Sequence, residues 1–209
     1  MPYWWRDDDA VEHTPALERL LHLAEKHQAP VTLAVIPALF QASLVARLKG
    51  HPLVQIACHG WHHTNHAPTG DKKSEYPESR SWQEIEVEIA EGFQRLRLAF
   101  GEQVLPLFVP PWNRMALLHR ERLSCSYSGI AHDARTGDYP VHIDGLRWKP
   151  APPVFAGEER CRNALQHLAG ADERIGLLTH HLVHDENTWV FLDSWLGEQR
   201  WNVVKAIVS

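Results

Sequence analysis

Short apolar runs alternate along the chain with longer segments of helical period. The runs at 31–36 and 53–58 are apolar on both faces, the pattern of buried parallel strands. Runs at 3–6, 105–109 and 175–179 read the same way, and weaker ones fall at 126–131 and 144–148. Leu17, Leu20, Leu21 and Ala24 recur at helical spacing, behind Thr14 as N-cap and Pro15 at the first helical position. Residues 38–48 are helical in pattern. The clearest helix, 82–100, sets Ile85, Ile89, Phe93, Leu96 and Phe100 on one face, with Ser81 capping it and Gly101 ending it. Helices are also expected over 115–123, 158–168 and 189–199, the last capped by Asn187 or Thr188, with a Pro-rich turn at 150–153. This alternation predicts an α/β fold of parallel strands with right-handed crossovers. Six or seven such units in 209 residues suit a barrel, complete or incomplete, better than a wide open sheet.

The polar residues cluster where strands end. Residues 59–66 hold four of the fifteen histidines, at the end of the 53–58 run. His59 and His63 are four apart, as are His62 and His66, and a helical turn would bring either pair onto one side, near enough to share a metal ion. Only the first pair starts at the strand's end, where α/β folds keep their chemistry. Asp7-Asp8-Asp9 follows the first strand, and three adjacent acids call for solvent, a helix N-terminus or a cation. Pro110-Pro111-Trp112-Asn113-Arg114 follows the fourth strand, His132-Asp133 the weak fifth and His180-His181 the last. Parallel strands bring such ends to one rim. One Asp and two His form a three-ligand set with a coordination position left open, as in catalytic rather than structural sites. A second Asp could act as base, and His180 or His181 as acid. The polar loop 67–80 is long for a connection, which suggests that it frames the site.

Composition narrows the reading. A hydrophobic content of 44 % and a charged content of 22 % fit a globular protein. The net charge of −5, with no basic run, argues against a nucleic-acid partner. Cys58, Cys125 and Cys161 are odd in number and show no CxxC spacing, so free thiols in a reducing compartment are expected, with Cys58 a core residue rather than a nucleophile. The N-terminal residues lack the apolar core of a signal peptide and no run approaches a membrane span of ~18 residues, so a cytoplasmic location with no membrane partner is expected. No GxGxxG, GxxxxGK[ST], GxSxG or HExxH motif occurs.

Asp8-Asp9 after the first strand, His59-Gly-Trp-His-His63 after the third, and Leu178-Thr179-His180 after the last resemble the polysaccharide deacetylase superfamily, the NodB-homology or carbohydrate esterase 4-like group, in its short HGxxH-bearing branch. The resemblance spans nearly the whole chain. It implies a distorted (β/α)7 barrel forming a single catalytic domain over 1–209, and hydrolysis of an acetamide or acetate ester on a carbohydrate or related small substrate. It also implies a divalent metal, zinc by preference with Co2+, Ni2+ or Fe2+ as alternatives, held by Asp9, His59 and His63. Asp8 is then the base, Asp7 leaving that register open by one, and His180 the acid with His181 as runner-up. Trp112 takes the place of the main-chain oxyanion donor. Trp61, Trp112, Arg114 and Trp148 are the substrate-binding candidates. The family's base-orienting arginine is not in its usual place, for which Arg114 or Arg80 is a stand-in, and Asp144 lies where some members tune the acid.

Overall fold

The strand that carries the acidic triplet lies inside the sheet, paired on both edges. In the computed structural model, which describes residues 3–130, 138–149, 151–166 and 175–204, β1 runs over Tyr3–Ala10. It is flanked by β2 (Val31–Val35) and β9 (Ile175–Thr179), followed outward by β3 (Val54–His59), β4 (Val104–Val109) and β5 (Ser126–Tyr127) on one side and β6 (Ile143–Asp144) on the other. All six pairings are parallel, and the seven strands curl into a half-barrel. A separate antiparallel pair joins β7 (Leu146–Arg147) to β8 (Val154–Phe155). The helices are α1 (Pro15–His27), α2 (Ala42–Leu48), α3 (Trp82–Phe100), α4 (Leu117–Arg120), α5 (Glu158–Gln166) and α6 (Glu186–Glu198). Among the described residues, no helix is long and apolar enough to cross a membrane.

Strand alternation divides the interior into two cores. On the outer face, Val31, Leu33, Val35, Ile56 and Leu177 pack with Leu17, Leu20 and Leu21 of α1, Ile85 and Phe93 of α3, and Trp195 of α6. On the inner face, Trp4, Ala34, Ala57, Leu107, Val109 and Leu178 close around Tyr139 and Val141. Val204 plugs that inner core, and Gln55 fixes it with two hydrogen bonds of 2.9 Å to its backbone. Two helix starts follow the capping rules as the sequence suggests: Thr14 Oγ1 accepts the Leu17 N–H at 3.0 Å and Ser81 accepts that of Glu84.

Several elements differ from the sequence reading, each for a local reason. β1 does not stop at Arg6; it continues through the triplet, which lies inside the sheet. The helix expected from residue 38 starts at Ala42, after a turn in which Leu39 and Phe40 N–H both return to Ile36 O. The helix expected over 115–123 is the single turn α4. The sixth strand breaks at Gly145, so that β6 joins the main sheet while β7 pairs with β8, a short strand just after the expected Pro-rich turn. α6 is capped by Asp185, whose Oδ1 accepts the Thr188 N–H at 2.7 Å, two residues before the earlier of the expected caps. Pro106 sits in the middle of β4, where the register against β3 slips between Val104 and Phe108; a proline N cannot join the ladder, and the slip omits it. His132, Asp133, Ala131, Pro150 and Leu168, which also belong to expected elements, lie outside the described residues.

Candidate metal centre and catalytic site

The period of two along β1 and a bulge between Asp7 and Ala10 together give each of three adjacent acids a different basic partner. Asp7 faces outward and is fully buried. Its Oδ1 meets His181 Nδ1 at 2.5 Å, and its Oδ2 accepts from Thr179 Oγ1 at 2.6 Å and from the His181 N–H at 3.0 Å. Asp8 faces inward beside Arg6, two residues earlier on the same face: Arg6 Nη2 donates to Asp8 Oδ2 at 2.9 Å and Nε lies 2.9 Å from Oδ1. Asp9 is set apart by a bulge, since three steps along β1, from Asp7 to Ala10, match only two along β2. Asp9 takes φ +70°, unusual for a side-chain-bearing residue, and the bulge turns its carboxylate toward β3.

There it meets both histidines. His59, the last residue of β3, puts Nε2 3.1 Å from Asp9 Oδ1, and His63 Nε2 lies 3.3 Å from the same oxygen. Residues 60–66 form an irregular loop, so the i, i+4 histidines converge by a turn at Gly60 (φ +61°) and His63 (φ +60°), not by the helical turn their spacing suggests. Among the described residues, Asp9, His59 and His63 are the group whose donor atoms all fall within 4.8 Å of one another. His62 and His66 are exposed and stand outside it. The set fits a cation. His59 Nδ1 lies 2.9 Å from the Val109 carbonyl, which can only accept, so Nδ1 carries the proton and Nε2 is the ring atom aimed at Asp9. Two imidazole nitrogens facing one carboxylate oxygen are satisfied together by a shared positive charge. Electrostatics agree. Burial works against the charged form of His59, but Asp8 and Asp9 outweigh it and raise its pKa. Burial also works against the Asp9 carboxylate, yet the hydrogen bond and charge of His59, with His180 and His63, hold its pKa far below the usual range. Burial and the neighbouring His59 lower that of His63.

The fourth strand end supplies the next wall. Trp112 and Asn113 both take φ +54°, and the Trp112 ring lies 4.4 Å from that of His63. Of five described non-glycine residues at positive φ, Asp9, His63, Trp112 and Asn113 meet here, the backbone strain that functional sites accumulate. Asn113 Oδ1 accepts from Arg6 Nη2 at 2.6 Å, and Ser128 Oγ accepts from Nη1 at 2.7 Å. One buried guanidinium therefore joins Asp8 to the Trp112 turn. Arg6 is the arginine paired with Asp8, while Arg114 donates to the Lys73 carbonyl and Arg80 pairs with Glu88. A signal for Arg6 does exist in the sequence, because residues two apart on a strand share a face.

At the end of β9, His180 Nε2 lies 3.9 Å from Asp8 Oδ2, and its ring meets the edge of the half-exposed Trp148 at 4.6 Å. Asp144 accepts from Trp148 Nε1 and the Leu146 N–H, both at 2.9 Å, and burial, opposed by His180, raises its pKa. His181, the other acid candidate, is turned away into its pair with Asp7; burial opposes its charge, but Asp7 wins and raises its pKa. The Trp61 ring packs edge-on against His62 at 5.4 Å. It lies 5.8 Å from the Arg95 guanidinium of α3, which also covers Phe40. Cys58 is buried and burial pushes its thiol well up, as suits a core residue. Arg114 lines a cavity of about 870 Å³ with Asp71, Lys72 and Glu78.

His184, whose Nε2 accepts the His180 N–H at 3.2 Å, gives the site a pH signature. Burial, then the nearby His181 and His180, pull its pKa down to about 4 against the attraction of Asp7 and Asp185. The unfolded chain thus binds this proton first, and stability is lost as pH falls from about 6.5 toward 4, by up to about 3 kcal/mol from this group. His184→Gln is expected to flatten the pH dependence of the urea midpoint in that window relative to wild type; parallel curves would remove His184 as its source.

The sheet defines a fold class. The fold is that of the family 4 carbohydrate esterases and peptidoglycan deacetylases, the NodB-type distorted (β/α)7 barrel. A family 4 acetyl xylan esterase from Clostridium thermocellum, solved with a cobalt ion, superposes with TM-score 0.64 at 16 % identity, over 98 % of this chain and 87 % of that one. A peptidoglycan N-acetylglucosamine deacetylase bound to a hydroxamate-type benzamide gives 0.66 at 14 %, over 96 % and 85 %. A family 4 pseudoenzyme from Bacillus anthracis gives 0.58 at 18 %, over 96 % and 62 %. No family model and no curated protein matches the sequence.

Proposed function

We propose that the protein is a metal-dependent hydrolase, one catalytic unit over residues 1–209, that removes an N- or O-linked acetyl group from a carbohydrate or related small substrate. The observation that carries this reading is the convergence of Asp9, His59 and His63 on one point, with Asp8 and His180 beside them, at the strand-end rim of this fold. The donor set suits Zn2+ and also takes Co2+, Ni2+ or Fe2+.

Asp9, His59 and His63 would hold a divalent ion, which would supply the positive charge that makes water acidic and polarises a carbonyl. Asp8, which accepts a hydrogen bond from Arg6 at Oδ2 and is in ion-pair contact with it at Oδ1, takes the proton from the attacking water. The Trp112 N–H donates to the oxygen that becomes negative as the carbonyl turns tetrahedral; Pro111 beside it has no N–H to offer. His180 gives a proton to the departing amine or hydroxyl. Trp112 and Trp148 offer faces to a sugar ring, and Arg114 a charged wall to its more distant polar groups.

Acetate release from acetylated xylan, chitooligosaccharides and simple acetamides, with zinc-loaded and chelated protein, tests the reading. Release from the sugars only when metal is present supports it, whereas release confined to small acetamides identifies a non-sugar amidohydrolase. Because the same fold occurs in a pseudoenzyme, the second reading is a barrel that binds metal without turnover; about one zinc per chain and no release from any substrate establishes it. The acid has its own test. His180→Ala is expected to cut deacetylation of an acetamido sugar by about 10²–10⁴-fold, while 4-nitrophenyl acetate, whose leaving group needs no proton, falls by less than about tenfold. Equal losses on both substrates would rule out His180 as the proton donor.

A further inference from the structure

The long polar loop before α3 has a buried anchor. Glu75 is 1 % exposed, and its carboxylate receives backbone N–H groups from the histidine loop: Trp61 at 3.1 Å on Oε2, His62 at 2.8 Å and Thr64 at 3.4 Å on Oε1. These residues bracket His63, whose φ of +60° the loop would not hold unaided. The space for the carboxylate comes from Gly60: a Cβ there would lie 2.0 Å from Glu75 Oε2 and 2.6 Å from Pro111 Cγ. Glu75 is itself fixed from the opposite side. Tyr76 is buried against Phe108, the Tyr76 carbonyl accepts the Ala116 N–H at 2.9 Å, and Ser74 Oγ donates to the Arg114 carbonyl at 3.1 Å. The neighbouring turn is tied in as well, with the Ser74 N–H on Asn65 Oδ1 at 2.9 Å.

We infer that Glu75 is a positioning residue that presets His63 for metal binding, using one buried carboxylate to hold the 61–64 backbone while Gly60 leaves the room it needs. This rests on the metal reading of Asp9, His59 and His63. Glu75 touches none of the three through its side chain and acts through the backbone. A neutral amide serves less well, since a glutamine NH2 would oppose the Trp61 or the His62 and Thr64 N–H groups instead of accepting them.

Zinc affinity measured by chelator competition tests this on wild type, Glu75→Gln, Glu75→Ala and Leu17→Ala, the last a truncation in the outer core that lowers stability and belongs to neither β1, β3 nor the loops that carry His63 and Glu75. Glu75→Gln is expected to bind zinc about 10-fold more weakly and Glu75→Ala about 100-fold, within the range for supports of metal ligands, while Leu17→Ala binds as wild type does. If Glu75→Ala fails to fold, the Gln variant decides. Wild-type affinity in Glu75→Gln, or an equal loss in Leu17→Ala, overturns the inference while leaving the metal reading intact. Absence of zinc binding in wild type overturns both.

Discussion

Asp9→Asn is expected to lose zinc on dialysis and to release acetate about 10³-fold more slowly than wild type. The substitution keeps the shape of the side chain and removes the anion that both imidazole nitrogens face from 3.1 and 3.3 Å. A metal contributes several kcal/mol of transition-state stabilisation, and each ~1.4 kcal/mol is tenfold in rate, so a loss of that size follows. The comparison with Asp7→Asn is informative, because Asp7 is committed to His181 and Thr179 on the other face of β1. Asp7→Asn should keep its zinc. Metal analysis of both purified variants with kinetics on one acetylated sugar checks the pair. Retention of stoichiometric zinc by Asp9→Asn would move the ligand role to another acid.

Arg6→Met should destabilise the protein by about 3–5 kcal/mol, the cost of leaving one member of a buried ion pair without its partner. Arg6 and Asp8 are 0 % and 2 % exposed, and Arg6 also supplies the hydrogen bonds to Ser128 and Asn113. Such a loss is a large part of the ~5–15 kcal/mol that holds a domain folded. Arg6→Met/Asp8→Asn should recover part of it, since the stranded charge is gone, yet show no hydrolysis because the proposed base is gone as well. Urea unfolding of wild type, both single variants and the double variant gives the coupling directly. Additive losses would mean that Arg6 is not the counter-charge of Asp8, and its role in aiming the base would fall with that.

Both predictions depend on residues that differ in how far local pattern reveals them. His59 and His63 stand out by spacing at a strand end, and Asp8-Asp9 by position after the first strand. Their convergence also requires the bulge at Asp9 and the positive φ at His63, which follow from how β1, β3 and the Glu75 loop are packed. Arg6 was within reach of the period of two on a strand, but a strand thought to end at Arg6 gives no reason to pair it with Asp8. Glu75 had no signal, being one acid in a polar loop whose burial depends on Tyr76 docking against Phe108. Trp61 and Trp112 look alike in sequence, each beside a polar cluster, and one ring lies with Arg95 on α3 while the other touches His63.

Periodicity by itself determined the parallel α/β architecture, the main helices with the Thr14 and Ser81 caps, and the strand ends at which polar side chains gather. Those features depend on contacts between residues a few positions apart, which composition and spacing record. Tertiary structure decided which acid faces which cation, that Arg6 and not Arg114 or Arg80 holds Asp8, that β7 leaves the main sheet for β8, and that Glu75 lies under the histidine loop. Each of these turns on the direction of a side chain or the register of a strand. A single bulge or a glycine at positive φ reverses such a direction, and only packing against elements distant in the chain selects among the outcomes.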